Sequence, residues 1–180
     1  MTTHEERTAR PSPRRFVDYV QDFGLRPSAE ESLAFRVRGP VLVHHGDDAE
    51  EESRRFETKM APSGLRFDPS QRWGAVHTLT KRRDAAFSTH IGIGRVPSVD
   101  VWIALPQVSK FHAFVVTDLE DRLTIADANS KNGTWVNGAK LPVRQAVPLV
   151  DGARVRFGPH EFLFLTLETF RAAVARGRLD

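Results

Sequence analysis

Two hydrophobic rhythms divide the chain. From residue 13 to residue 35 apolar side chains recur at helical intervals, whereas beyond Trp73 they fall in short runs with period two, cut by turn residues. Phe16, Tyr19, Val20 and Phe23 make one helical stripe. Ser12-Pro13 before it has the form of an N-cap followed by proline at the first helical position, and Gly24 is placed to end the helix. Ser28-Ala29-Glu30-Glu31 has capping-box spacing ahead of Leu33, Ala34 and Phe35, so a second helix start is expected there. Val41-Leu42-Val43 reads as a short strand after Gly39-Pro40.

The second half reads as strands throughout. Val76 and Leu79, then Phe87, Ile91 and Ile93, predict two strands joined around Arg83-Asp84. Val101-Trp102-Ile103 predicts the next, and Ala113 to Val116 and Leu123 to Ala126 flank a turn. Thr134-Trp135-Val136 runs into Asn137-Gly138, the sequence of a type I′ turn. Val147-Pro148-Leu149 leads to a turn at Asp151-Gly152, and Val155 and Phe157, then Phe162 and Phe164, recur with period two. Leu167, Phe170 and Val174 return to helical spacing, with Arg171, Arg176 and Arg178 suited to the negative end of that helix.

Short strands separated by turn signals roughly every eight to twelve residues predict a β-sandwich. The expected fold is mainly β, with about eleven short strands, an N-terminal helical extension and a short C-terminal helix. Residues 1–12 are polar and aperiodic and are expected to form a disordered tail. Residues 13–72 are read as the extension; the stretch 13–60 holds too few apolar residues for a core of its own and is expected to pack on the sandwich through Phe16, Tyr19, Phe23 and Phe35. The sandwich is assigned to 73–167 and the last helix to 168–180.

Composition narrows the chemistry. The 180 residues contain no cysteine, which removes disulfides and thiolate metal sites and fits a reducing compartment. No apolar run is long enough to span a bilayer and the N-terminus lacks an apolar signal core, so a cytoplasmic protein with no membrane partner is expected. The net charge of +3 is a weak bias toward acidic or phosphorylated partners.

Three blocks between residues 91 and 138 carry the polar residues of interest: Ile91-Gly92-Ile93-Gly94-Arg95, Val108-Ser109-Lys110-Phe111-His112-Ala113, and Ser130-Lys131-Asn132-Gly133-Thr134-Trp135-Val136-Asn137-Gly138. Each falls where a strand ends or a loop begins. An arginine fork can hold two phosphate oxygens at once, and a hydroxyl and two ammonium groups can add donors. An asparagine amide offers a donor and an acceptor to a peptide backbone. In order and spacing, the blocks resemble the forkhead-associated (FHA) domain, a phosphothreonine-binding β-sandwich, over roughly residues 73–167.

The resemblance implies that Arg95 and Ser109 contact the phosphate directly, with Lys110 and Lys131 beside it. It implies that Asn132 pairs with the peptide backbone, while Asn137 either supports its loop or touches the peptide. Gln107 stands in the loop that reads the residue three after the phosphothreonine, and its amide leaves that preference open. Gly94, His112 and Gly133 match the motif and are read as structural, the glycine for a tight loop and the histidine as a tie between loops. The implied function is a non-catalytic adaptor that recognises phosphothreonine in a Ser/Thr protein kinase or its substrate, without cofactor or metal. The alternative is a phospho-independent interaction module on the same fold.

Other functions fit less well. His44-His45 near Asp47 and Asp48 matches no metal-binding spacing, and Ile91-Gly92-Ile93-Gly94 lacks the third glycine of a dinucleotide loop. There is no Gly-x-Ser-x-Gly elbow or phosphate-binding P-loop. Ser109 and His112 lie too close in sequence, with no orienting acid evident, for a nucleophile and base. Arg7, Arg10, Arg14 and Arg15 come without a helix-turn-helix, finger or aromatic RNA motif, so no nucleic-acid partner is expected.

Overall fold

A computed structural model describes residues 13–23, 37–45, 73–82, 89–117 and 122–179. Eleven strands and two helices are present among them. The strands are β1 (Val41–His45), β2 (Trp73–Thr78), β3 (Ile91–Gly94), β4 (Val101–Trp102), β5 (Ala113–Thr117) and β6 (Leu123–Asp127), followed by β7 (Thr134–Val136), β8 (Ala139–Lys140), β9 (Val147–Pro148), β10 (Arg154–Phe157) and β11 (His160–Leu165). The helices are α1 (Phe16–Phe23) and α2 (Leu167–Arg176).

The strands form two sheets. One has the order β2-β1-β11-β10-β7-β8 and the other β4-β3-β5-β6-β9. Among the paired strands described, β3 and β4 run parallel and the others antiparallel. Alternation along each strand sends one set of side chains between the sheets. Leu42, Val155, Phe157, Phe162 and Phe164 from the first meet Ile93, Val115 and Ile125 from the second in the main core. This is the mainly β sandwich that the spacing predicts.

Three features go beyond the local reading. First, the consecutive strands β2 and β3 belong to different sheets. Local period shows that both are strands but carries no information about their partners. Second, β1, from the stretch read as an extension, lies inside the first sheet between β2 and β11, in register from Val41↔Leu165 to His45↔Glu161. Third, α1 begins at Phe16, after Pro13. The backbone at Arg14 and Arg15 is extended because Arg15 bridges Ala75 and the Val76 N–H donates to the Arg14 carbonyl at 2.7 Å. The Asp18 carboxylate, accepting from the Arg15 N–H at 2.9 Å, closes the first turn in place of a serine cap.

A second apolar cluster lies on the outer face of the six-stranded sheet. Phe16, Tyr19 and Val20 of α1 and Phe170 and Val174 of α2 cover Val41, Val43, Leu163 and Leu165. The Phe170 ring meets Phe16 and Tyr19 edge-on, at 6.1 and 5.4 Å between centroids. Phe16 and Tyr19 thus pack against the six-stranded sheet, whereas the Phe23 side chain, Phe35, the expected helix start at 28 and the tail 1–12 lie outside the described residues. Thr166 caps α2 through its hydroxyl, which accepts from the Thr169 N–H at 3.3 Å, and Gly177 ends it short of the chain terminus.

Candidate functional site

The three sequence blocks meet at one end of the sandwich. They line a groove of ≈ 1160 Å³ whose walls include Arg95, Gln107, Ser109, Lys110, Lys131 and Asn132. Every residue assigned to the phosphate by resemblance therefore borders one concavity, together with Asn132 and the specificity position. Asn137 does not. It sits on the β7–β8 turn, with φ of 49° beside Gly138 at 83°, and its side-chain oxygen accepts from the Arg154 N–H at 2.9 Å. Of its two open readings, loop support is the one with a visible contact.

Arg95 leaves β3 at the groove's edge. Its backbone N–H donates to the Ser109 carbonyl at 2.9 Å, and its Nε donates to the Val108 carbonyl at 3.0 Å. With Nε engaged, the two terminal nitrogens of this exposed side chain remain available as donors. The Ser109 hydroxyl accepts the Lys131 N–H at 3.0 Å, so its own hydrogen remains available to donate. Lys110 and Lys131 are exposed and hold no ion pair among the described residues. A guanidinium, a hydroxyl and two ammonium groups thus border a groove with no opposing carboxylate in its lining.

His112 explains why these loops hold still. It is buried, and the Ser109 N–H donates to its Nδ1 at 2.9 Å. An amide cannot accept there, so the ring proton sits on Nε2 and is donated to the Gly133 carbonyl at 2.9 Å. One imidazole ties the serine loop to the asparagine loop. The Ser109 backbone, not its hydroxyl, faces the imidazole, so the pair is not arranged as nucleophile and base.

Asp127 performs the matching task for the asparagine loop. Its carboxylate accepts from the Ser130 N–H at 2.9 Å, the Ser130 hydroxyl at 2.7 Å and the buried Thr134 hydroxyl at 2.7 Å. Ser130 Oγ in turn accepts the Gly133 N–H at 2.9 Å. Sequence reasoning missed Asp127 and Ser130, although Asp-x-x-Ser before an Asn-Gly pair is a recognisable turn-forming spacing. It also missed His160, whose Nε2 lies 2.6 Å from the Pro106 carbonyl. With Asn132 Nδ2 donating to the Gln107 carbonyl at 2.8 Å and Arg95 holding Val108, three consecutive loop carbonyls are gripped by three side chains. That grip maintains Gln107 at a φ of 68°, unusual for a residue with a Cβ.

These ties predict a response to acid. Burial, the largest influence, pushes the His112 imidazole below its ordinary 6.5, against the upward pull of the Gly133 carbonyl and the Asp127 carboxylate. Burial alone would raise the Asp127 carboxyl, but hydrogen bonds from Ser130 and Thr134 and the nearby His112 hold it below its ordinary 3.8. For His112 the unfolded chain binds the proton first, so its contribution is lost as pH falls below 6.5, until the folded group also protonates. For Asp127 stability is present above 3.8 and lost as pH falls through the lower folded value. The urea midpoint should therefore fall between pH 7.5 and 5.5, and His112→Gln should flatten that slope; a wild-type midpoint constant across the interval would contradict the assigned tautomer and burial.

The metal reading of His44-His45 finds no support in their placement. Adjacent residues of β1 point to opposite faces, and His44 is buried against the Phe162 and His160 rings at 4.8 and 5.7 Å. No helix among the described residues is long and apolar enough to cross a membrane.

Comparison with known proteins places this architecture. The FHA domain family model matches residues 91–158. The transcriptional regulatory protein EmbR of Mycobacterium tuberculosis is 38% identical over 72 residues, covering 40% of this chain and 18% of that protein. The FHA domain-containing protein PS1 of Arabidopsis thaliana is 28% identical over 67 residues, 37% of this chain and 4% of that protein. The chain thus spans less than a fifth of the curated relatives it matches. Among solved structures, the N-terminal FHA domain of Rad53p from S. cerevisiae, in complex with a phosphothreonine peptide, aligns with a TM-score of 0.43 at 19% identity, covering 75% of this chain and 98% of that one. The loops that gather Arg95, Ser109 and Asn132 at one end of the sandwich all lie within residues 91–158, the span over which this chain matches the forkhead-associated domain model.

Proposed function

We propose that this chain is a phosphothreonine-binding module, a non-catalytic adaptor for a partner of Ser/Thr kinase signalling. The observation that carries the reading is the single groove bordered by Arg95, Ser109, Lys110, Lys131 and Asn132, with Arg95 fixed through Nε so that its remaining nitrogens are free. A phosphothreonine brings nearly two negative charges and three acceptor oxygens, which matches that inventory of donors. Asn132 keeps its side-chain oxygen and one N–H for the backbone of an extended peptide while it holds the Gln107 carbonyl. The same inventory argues against an enzyme: the imidazole nearest Ser109 is buried, with both nitrogens engaged in holding loops.

The affinity expected from so few charged contacts in an open groove is on the order of micromolar, about 8 kcal/mol. A degenerate phosphothreonine-peptide array, paired with the unphosphorylated array, tests the reading and gives the preference facing Gln107. Binding should require the phosphate. Equal binding to both arrays would replace this function with a phospho-independent interaction module.

A further inference from the structure

The outer face of the six-stranded sheet continues past the helix pair as a row of side chains. Strand register sets Lys140 of β8, Trp135 of β7, Arg156 of β10 and Glu161 of β11 side by side. α1 and α2 cover Val43, Leu163 and Leu165 on this face and leave the row open, with Lys140 exposed and Trp135 and Arg156 half-buried. The Arg156 guanidinium carbon lies 3.9 Å from the Trp135 ring centroid and Lys140 Nζ lies 5.5 Å from it. Glu161 is taken by Arg154. Neither Lys140 nor Arg156 has an ion pair among the described residues.

This row adjoins the groove. A Cβ built on Gly133 would come within 2.8 Å of Lys140 Cε and 3.0 Å of the Trp135 ring, so both side chains pack against the backbone of the residue next to Asn132. Lys131 and Asn132 stand on the groove side of the same short loop.

We propose that Lys140, Trp135 and Arg156 form a second contact surface of the module, which takes carboxylates of the partner protein lying beside its phosphothreonine in sequence. The inference rests on the phosphothreonine reading and extends it. A guanidinium stacked on an indole keeps its in-plane N–H groups free for a bidentate carboxylate and loses little further freedom on binding. Two cations over one ring repel each other, and an anion between or beside them relieves that repulsion. An apolar occupant would desolvate both cations without compensation.

The test titrates the full chain with three phosphothreonine peptides by fluorescence anisotropy. One carries three glutamines on each flank of the central recognition sequence; the other two replace one flank or the other by three glutamates. Wild type should prefer one glutamate peptide by about five- to tenfold at low salt. The double variant K140Q/R156Q should bind all three as wild type binds the glutamine peptide. Equal wild-type affinity for the three peptides, or a variant that weakens the glutamine and glutamate peptides alike, overturns the proposal. No binding to any of the phosphopeptides would remove the phosphothreonine reading and this surface with it.

Discussion

Arg95→Ala should weaken binding of a phosphothreonine peptide by about 30- to 150-fold, or about 2–3 kcal/mol. Truncating one partner of a charge-assisted contact costs about 2–5 kcal/mol. The lower half of that range applies because Arg95 is exposed and the groove is open to water and salt. Two effects contribute. The terminal nitrogens lose the phosphate, and the loss of Nε frees the Val108 carbonyl and with it one end of the loop that carries Gln107. Arg95→Lys separates them. It keeps the charge but has no fork and no Nε to hold Val108, so it should recover only part of the affinity. Titration calorimetry of the three proteins against one phosphopeptide measures both steps. A dissociation constant for Arg95→Ala equal to that of wild type would mean that the phosphate binds elsewhere.

The site was legible in the sequence where chemistry is local, and obscure where it depends on distant partners. The loops of Arg95, Ser109 and Asn132 show in the hydrophobic period as strand-to-turn transitions and their residue types state what they can hold, while the roles assigned to them come from the resemblance to the forkhead-associated domain. His160 is invisible by that method because the carbonyl it grips lies 54 residues away. Asp127 reads as the end of an ordinary strand, and only the fold reveals that it organises Ser130 and Thr134. The same limit governs the sheets. The apolar run after Gly39-Pro40 identifies β1 as a strand, but nothing local in Val41-Leu42-Val43 shows that Leu163 and Phe164 are among its register partners. The start of α1 fails for a related reason: Ser12-Pro13 is a sound helix opening, yet pairing with β2 holds Arg14 and Arg15 extended. Tertiary hydrogen bonds there override local propensity.

Gly94→Ala should cost about 2–4 kcal/mol of stability and remove measurable phosphopeptide binding. The reason is space, since this glycine's φ is not in the left-handed region. A Cβ at residue 94 would stand 2.2 Å from the Lys110 carbonyl oxygen and 2.8 Å from its carbon, both backbone atoms with no rotamer to move away. β3 and the segment 109–112 are tied on either side of this approach, by Arg95 N–H to the Ser109 carbonyl at 2.9 Å and His112 N–H to the Ile93 carbonyl at 2.8 Å. Parting the backbones enough to admit a methyl group stretches those bonds and draws Arg95 away from Ser109, so stability and binding fall together. Gly138→Ala is the control. Its φ of 83° makes an alanine strained, but nothing lies within 4 Å of the added methyl. That change should cost about 1–2 kcal/mol, with phosphopeptide affinity unaltered. Urea unfolding and peptide titration on the two variants decide the matter: if Gly94→Ala binds like wild type, the close approach of β3 to Lys110 is not what sets Arg95 and Ser109 over one ligand.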